Sequence, residues 1–252
     1  FCRPLAEVIL QSSPNIECGG VLNFVGAGSI SLWKDDGGSR QDFSINLTSV
    51  SGTALKAAGF EAVAGSLDEV TLRNTFAVSE TVAEKFGLEV GMQVFSDGDY
   101  PCSIVAIYKD MPDNSHFKYV EAVHNIMDSG IDNYSEWSYQ YLVKVYDPSQ
   151  VDQMEKSFEG TVRDYYKERY FGQMPSAEEM GMTQEDMDSA VEKMLGMARC
   201  ELIPIENLFY NTDIVNQIEK GNKTTTIILL IVALLIVGIA FINYINFFFA
   251  QI

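Results

Sequence analysis

Residues 224–250, TTTIILLIVALLIVGIAFINYINFFFA, constrain this chain more than any other stretch. The segment has no charged residue, and residues 227–242 are unbroken apolar sequence. At a rise of ~1.5 Å per residue it makes a helix of roughly 40 Å. A bilayer core is about 30 Å thick and takes roughly 20 apolar residues to cross. A helix lying on a soluble core shows an apolar stripe opposite a polar face; this one is apolar all round. It reads as a transmembrane helix rather than the buried helix of a large soluble core. What precedes it is then a domain held on one side of a membrane.

The chain has 252 residues and a formal charge of −18, all of it before that helix, because Lys223 is the last charged residue. Such an acidic domain repels phosphate backbones and anionic headgroups, which excludes nucleic acid as a partner class. Fifteen Phe and twelve Tyr argue against disorder. The sequence opens on Phe1 and ends at Ile252 just as it leaves the membrane, so both ends read as cuts through a longer protein. Lys220 and Lys223 on the near flank would favour a cytoplasmic domain. Large domains, however, translocate largely regardless of charge, and the far flank is missing, so charge alone does not orient the chain. Cys2, Cys18, Cys102 and Cys200 include no C-x-x-C pair. They permit three disulfide pairings, among which sequence does not choose, with buried free thiols the plainer reading.

Patterning predicts a helix over residues 3–11 and a strand over 16–25. A Gly/Ser-rich stretch then ends in a turn at Asp35-Asp36-Gly37-Gly38. Phe43, Ile45 and Leu47 alternate with polar residues as in a half-buried strand. A short helix over 52–60 ends at Gly59. A strand at 76–78 runs into Ser79, an N-cap for a helix whose inner face is Val82, Ala83 and Phe86, with Gly87 as its stop. Further strands are expected at the end of 88–94, at 101–109 and at 139–146, with a loop and helix over 120–127. Pro148 begins a long amphipathic helix marked by Val151, Met154, Phe158, Val162, Tyr165 and Tyr166. After a loop at 174–182, Thr183 caps a second such helix, whose stripe of Met187, Val191, Met194 and Ala198 reads as adaptable core. A last strand over 200–205 precedes a connection over 206–222, partly helical from Asp213. The fold class expected is α+β, with helices over one face of an open antiparallel sheet. The expected division is a discontinuous α/β subdomain (1–25 and 136–215), a β-rich subdomain inserted into it (26–135), a linker (216–223) and the membrane helix (224–252).

Chemistry is hard to find. His116 and His124, with Asp110, Asp113 and Glu121, lack any metal-ligand spacing. They read as a loop residue and a helix-surface residue. No G-x-S-x-G and no G-x-x-x-x-G-K-[ST] occurs, and Gly26-Ala27-Gly28 reads as a turn. No catalytic, cofactor or metal site is expected. Inside the membrane helix, Asn243 and Asn246 share a face with Tyr244 beside them. A side-chain amide in hydrocarbon is costly unless it finds a partner, so these three predict a packing face against further membrane helices.

Three segments carry a resemblance. VSETVAEKFGLEVG at 78–91, SIVAIYKDMPDNSHFKY at 103–119 and IVGIAFINYINFFFAQI at 236–252 are similar, in that order, to the MacB/FtsX-like ABC transporter permeases. The likeness is to the Bacteroidetes-type versions with large periplasmic domains. The match covers most of the chain and is weakest over 26–52. The resemblance implies the periplasmic domain between the first and second membrane helices, plus the second helix, with the two lobes termed porter-like and sabre-like. It also implies that ATP is hydrolysed by a separate cytoplasmic P-loop subunit. The permease would work as a homodimer or paired permease in the inner membrane, with a periplasmic adaptor or substrate protein as a further partner. Asp110, Pro112, Ser115, His116 and Phe117 are implied to form a structural corner with no catalytic role. A membrane-anchored sensor ectodomain is the alternative; a membrane-anchored hydrolase has no supporting residue.

Overall fold

The computed structural model describes residues 2–51, 53–96, 98–127, 130–134, 136, 139–169, 171–196, 200–211 and 220–250, with only the backbone of 23–27 and 173. It separates into two units, Phe1–Leu202 and Ile203–Ile252. The first contains α1 (Arg3–Ser12), β1 (Ile16–Asp36), β2 (Ser39–Val50), α2 (Ala54–Ala57), β3 (Ala62–Gly65), β4 (Thr75–Ser79) and α3 (Glu80–Phe86). There follow β5 (Gln93–Ser96), β6 (Tyr100–Tyr108), β7 (Ala122–Asn125), β8 (Gln140–Val145), α4 (Val151–Arg169) and α5 (Gln184–Leu195). The second unit holds α6 (Ile205–Leu208) and α7 (Lys223–Phe249). The class is α+β, as expected.

The sheet is not open. Its strands follow the order β2-β7-β4-β6-β5-β1-β8, and β1 also pairs with β2, so six strands close into a ring. β8 extends the ring from the first half of β1, and β3 pairs with β6. Nor is the sheet purely antiparallel: β2–β7 and β4–β6 are parallel. Closure depends on the length of β1. On one edge its residues 16–22 pair with β8 and Leu32 and Trp33 with β5; on the other, Leu22, Asn23 and residues 28–36 pair with β2. The Gly/Ser-rich stretch expected to interrupt the chain therefore lies within this strand. An irregularity between Asn23 and Gly28 shifts the register with β2, between the part of the strand that pairs with β8 and the part that faces β5. The turn itself is confined to Gly37 and Gly38, both at positive φ.

Period-two alternation fills the ring. Leu32, Phe43, Ile45, Leu47, Phe76, Val78, Val94, Cys102, Ile104 and Ala122 point inward as one cluster. Leu22, Val50, Ala77, Ala106 and Val123 point outward, onto α2, Phe60, Tyr108 and Phe117. Ile104, Val105 and Ala106 are all buried in succession because a bulge at Val105 breaks the alternation. A third cluster joins α1 to α4 through Leu5, Ile9, Met154, Phe158 and Val162, over Ile16 and Val145. Asn15 secures this layer: its amide donates to the Asp147 carbonyl and its side-chain oxygen accepts from the Asp147 N–H, each at 2.9 Å.

Several local expectations hold. Ser79 accepts from the Val82 N–H and Gly87 ends α3 at φ 59°. Thr183 caps α5 by accepting from the Asp186 N–H. Others are corrected. Residues 120–127 contain β7 and no helix, and 200–204 form neither strand nor helix. On α5, Met187 and Val191 are half-buried but Met194 is 51% exposed, so the expected core stripe is only partly covered, with Leu195 as its buried residue. Ala198 and the helical segment expected from Asp213 lie outside the described residues.

Candidate functional site

Two of the three resembling segments meet. β4 ends at Ser79, the N-cap of α3, and β6 runs parallel to β4 and ends at Tyr108. Asp110 follows, accepting from the Thr81 hydroxyl at 2.6 Å and from the Thr81 N–H at 3.3 Å. Partial burial pushes its carboxyl up, but the Thr81 hydroxyl, the Thr81 amide and the Ser79 hydroxyl outweigh this and hold it below the usual carboxylate range. The Ser115 N–H donates to the Pro112 carbonyl at 2.8 Å, and the Phe117 N–H to the Ser115 hydroxyl at 3.1 Å. Phe117 is buried against Phe60, their ring centroids 6.0 Å apart. Tyr108 closes the corner by donating its hydroxyl to the Val120 carbonyl at 2.9 Å. His116 is half-buried in this turn.

β4 runs from Thr75 to Ser79, so α3 seals one end of the ring and Thr75 marks the other. Val82, Ala83 and Leu88 pack into the sealed end, and Phe86 stacks on Phe43 at 4.8 Å. Lys34 donates to the Phe86 and Gly87 carbonyls at the C-terminus of α3, where a cation also suits the helix dipole. The opposite end opens into a cleft of about 480 Å³ between the lead-in to β4, Cys102 and the exit of β7. His124 lies here, on a strand and not on a helix surface. Its Nε2 is 2.7 Å from the Ser49 hydroxyl and its ring stacks on Phe76. Burial pushes the imidazole below its ordinary pKa, favouring the neutral form. Sequence reasoning missed this placement. The signal was the continuation of the inward series Phe43, Ile45, Leu47 to Ser49, which faces His124 in the parallel register.

Two residues of this rim are left-handed without being glycine, Asn74 at φ 54° and Met127 at φ 58°. Asn accepts that conformation readily, whereas for Met it costs about 1–3 kcal/mol and persists only if its surroundings impose it. They do so here. The Met127 N–H donates to Asn125 Oδ1, and its carbonyl accepts from the guanidinium of Arg3, a buried residue of α1.

No group of three His, Cys, Asp or Glu could hold a metal ion among the described residues. All four cysteines are buried free thiols. Burial pushes the Cys102 thiol up, and Cys200 up to about 11, so neither offers a thiolate near neutral pH.

In the second unit, α7 is a 27-residue helix whose most apolar 18-residue stretch has a mean hydropathy of 3.1, long and apolar enough to cross a membrane. Its N-cap is Asn222, which accepts from the Thr225 N–H at 3.0 Å. Asn243, Tyr244 and Asn246 are all exposed on it. The Gly221 N–H donates to the Phe209 carbonyl at 2.8 Å, joining the approach to α7 to the end of α6.

No family model matches the chain, and no curated protein matches it. Among solved structures it is similar to a domain of a protein classed as a permease from Porphyromonas gingivalis. That match has a TM-score of 0.52 and 18% identity, and covers 62% of this chain and 68% of that one. It is also similar to the extracellular domain of the noncanonic ABC-type transporter YknZ from Gram-positive bacteria. There the TM-score is 0.46 and the identity 14%, over 66% of this chain and 84% of that one. The second likeness is too loose to argue from. The first establishes that this chain has the fold of a permease domain, as the three resembling segments led us to expect.

Proposed function

We propose that the chain is the extracytoplasmic portion of a MacB/FtsX-like ABC transporter permease together with the membrane helix that follows it. One observation carries the reading: a domain with the fold of a permease domain stands in the same chain as an apolar helix of membrane-spanning length, charged only at its first residue. The domain lies on the periplasmic side of the inner membrane and has no enzymatic activity of its own. A separate cytoplasmic P-loop subunit hydrolyses ATP, and a homodimer or paired permease transmits its cycle through α7. Substrate is thereby exported or released outside the membrane, with an adaptor or substrate protein as a further partner. Asn243, Tyr244 and Asn246 form the face of α7 that packs on other membrane helices. Asp110, Pro112, Ser115, His116 and Phe117 serve as a structural corner.

The division into a porter-like lobe (1–25 and 136–215) and a sabre-like lobe (26–135) draws support from two clusters. The α1–α4 cluster uses residues of the first lobe alone, and the ring interior residues of the second alone. Against a sharp boundary, Leu22 and Leu142 join the outer cluster of the ring, and β1 runs unbroken through residues 25–26. The test is purification of the full-length protein from its native membrane. A P-loop ATPase should co-purify, and Asn243→Leu with Asn246→Leu should lower its recovery. A full-length chain with no ATPase partner, or one continuing past Ile252 into a kinase region, overturns the proposal.

A further inference from the structure

The start of α7 fixes a level in the membrane. Lys223 is the last charged residue, Thr224 to Thr226 follow, and the unbroken apolar run begins at Ile227. At ~1.5 Å per residue, the N-cap Asn222 stands about 7–8 Å along the axis from Ile227. The headgroup layer on each side of the hydrocarbon core is roughly 5–8 Å thick. Asn222 and its neighbour Gly221 therefore lie at headgroup level when α7 crosses a bilayer. The end of α6 is fastened at that same level. The Gly221 N–H donates to the Phe209 carbonyl at 2.8 Å. With no side chain at Gly221, the Phe209 ring rests against the backbone there: an added Cβ would stand 2.2 Å from Phe209 Cε1. Tyr210 follows, its ring edge-on to that of Phe209 with centroids 4.9 Å apart.

Both rings are left substantially uncovered, Phe209 at 40% and Tyr210 at 39%. At headgroup level such a pair has a partner in the lipid itself. A tyrosine ring suits that layer, its apolar body toward the acyl chains and its hydroxyl toward water, and a phenylalanine adds apolar area beside it. The occupant follows from continuity: the apolar surface of α7 is bare along its length, and the lipid that would surround it begins where these rings lie. We propose that Phe209 and Tyr210 are seated in the headgroup layer, as an interfacial anchor that holds the chain's entry into α7 on the bilayer surface. The proposal rests on α7 crossing a bilayer and not on the permease identity. With the anchor in place, α7 shifts along the membrane normal only by drawing both rings through the headgroup layer.

Three substitutions test it, Phe209→Trp, Tyr210→Trp and Ile236→Trp, each in the full chain in phosphatidylcholine nanodiscs. The lipid is brominated either at the headgroup end of the acyl chain or near its terminal methyl, and quenching of tryptophan emission is measured in both. The background from Trp33 and Trp137 is read from the unsubstituted protein and subtracted. The ratio of shallow to deep quenching should fall below one for Ile236→Trp, at the middle of α7, and exceed one for Phe209→Trp and Tyr210→Trp. Tyr210→Trp leaves the contact of Phe209 with Gly221 untouched, so it carries the test if Phe209→Trp lowers the melting temperature. Deep quenching of Ile236→Trp with no quenching of Tyr210→Trp overturns the anchor and leaves the membrane helix standing; rings packed on protein instead of lipid give this result. Stronger quenching of Tyr210→Trp by the deep bromines also overturns the anchor. An unquenched Ile236→Trp overturns the crossing itself, and the anchor with it.

Discussion

Replacing Phe117 by alanine tests whether the motif turn is a packed corner. The ring is 5% exposed and sits in the cluster of Phe60, Tyr108 and Val120. Burying a Phe side chain stabilises by about 1.5–3 kcal/mol, and the tilted contact with Phe60 adds about 0.5–1.5 kcal/mol. A residual cavity raises the usual cost of Phe→Ala to about 3–5 kcal/mol. Phe117 is not fully enclosed, so its neighbours can relax into part of the gap and the expected loss is about 3 kcal/mol. In a domain of this size that lowers the melting temperature by about 6–12 °C. Tyr108→Phe strips the buried Val120 carbonyl of its donor and should cost about 1–2 kcal/mol. The two substitutions share one cluster, so the double variant should depart from additivity. Urea unfolding of the full chain, followed by circular dichroism, measures all three. A loss below about 1 kcal/mol for Phe117→Ala, or one no larger than that of exposed Asp113→Ala, would refute the packed corner and reopen the motif as a binding surface.

At Gly20 an added Cβ would stand 2.1 Å from the Ser51 carbonyl oxygen, a backbone atom that cannot swing aside. Gly20→Ala should cost about 3 kcal/mol or more, read by the same unfolding assay. Gly37→Ala, with open space but φ at 62°, should cost about 1–2 kcal/mol. Ser79→Ala removes the N-cap of α3 and should cost about 1 kcal/mol, with hydrogen exchange quickening first at Thr81 and Val82. His124 is held neutral, so above pH 6.5 its contribution to stability is complete. As pH falls below 6.5 the unfolded chain takes up the proton before the folded one does, and stability drops until the folded pKa is passed, by at most about 1.4 kcal/mol per unit. His124→Phe should flatten melting temperature against pH in that window. The loss due to Asp110 belongs below the ordinary carboxylate pKa and should remain. A slope unchanged in His124→Phe would show that the imidazole is not held neutral.

The sequence was legible wherever one element carried its own signal. Ser79 and Gly87 bracket α3, Thr183 caps α5, and the spacing of Met154, Phe158 and Val162 places the buried face of α4. It was misleading where partners decide. The Gly/Ser-rich stretch has weak strand propensity, but β1 is clamped by β2 on one edge and by β8 and then β5 on the other. Tertiary pairing overrides propensity there. β7 is four residues long, too short for a visible period, and it exists because β2 and β4 flank it. Ring closure joins residues far apart in the chain, which no local pattern reports. His124 was wrongly placed on a helix surface for the same reason: its environment is made by Ser49 on one neighbouring strand and Phe76 on the other.

That geometry also explains why two resembling segments with different elements between them form a pair. The Ser79 N–H donates to the Glu121 carbonyl, Asp110 binds Thr81, and Glu121 Oε2 accepts from the Asn46 N–H at 2.7 Å. These bonds tie β2, β4, the start of α3 and the approach to β7 at the sealed end of the ring. Changes in either segment should therefore register together, as lost stability. The open end is held differently, by Asn125 and Arg3 acting on Met127, and Arg3 belongs to the helix layer outside the ring. A displacement of α1 thus has a direct hydrogen-bonded route to the cleft, through Arg3 and Met127. If the domain transmits motion, the end that can answer to it is the one bearing His124 and Met127, although the recognisable motifs lie at the other.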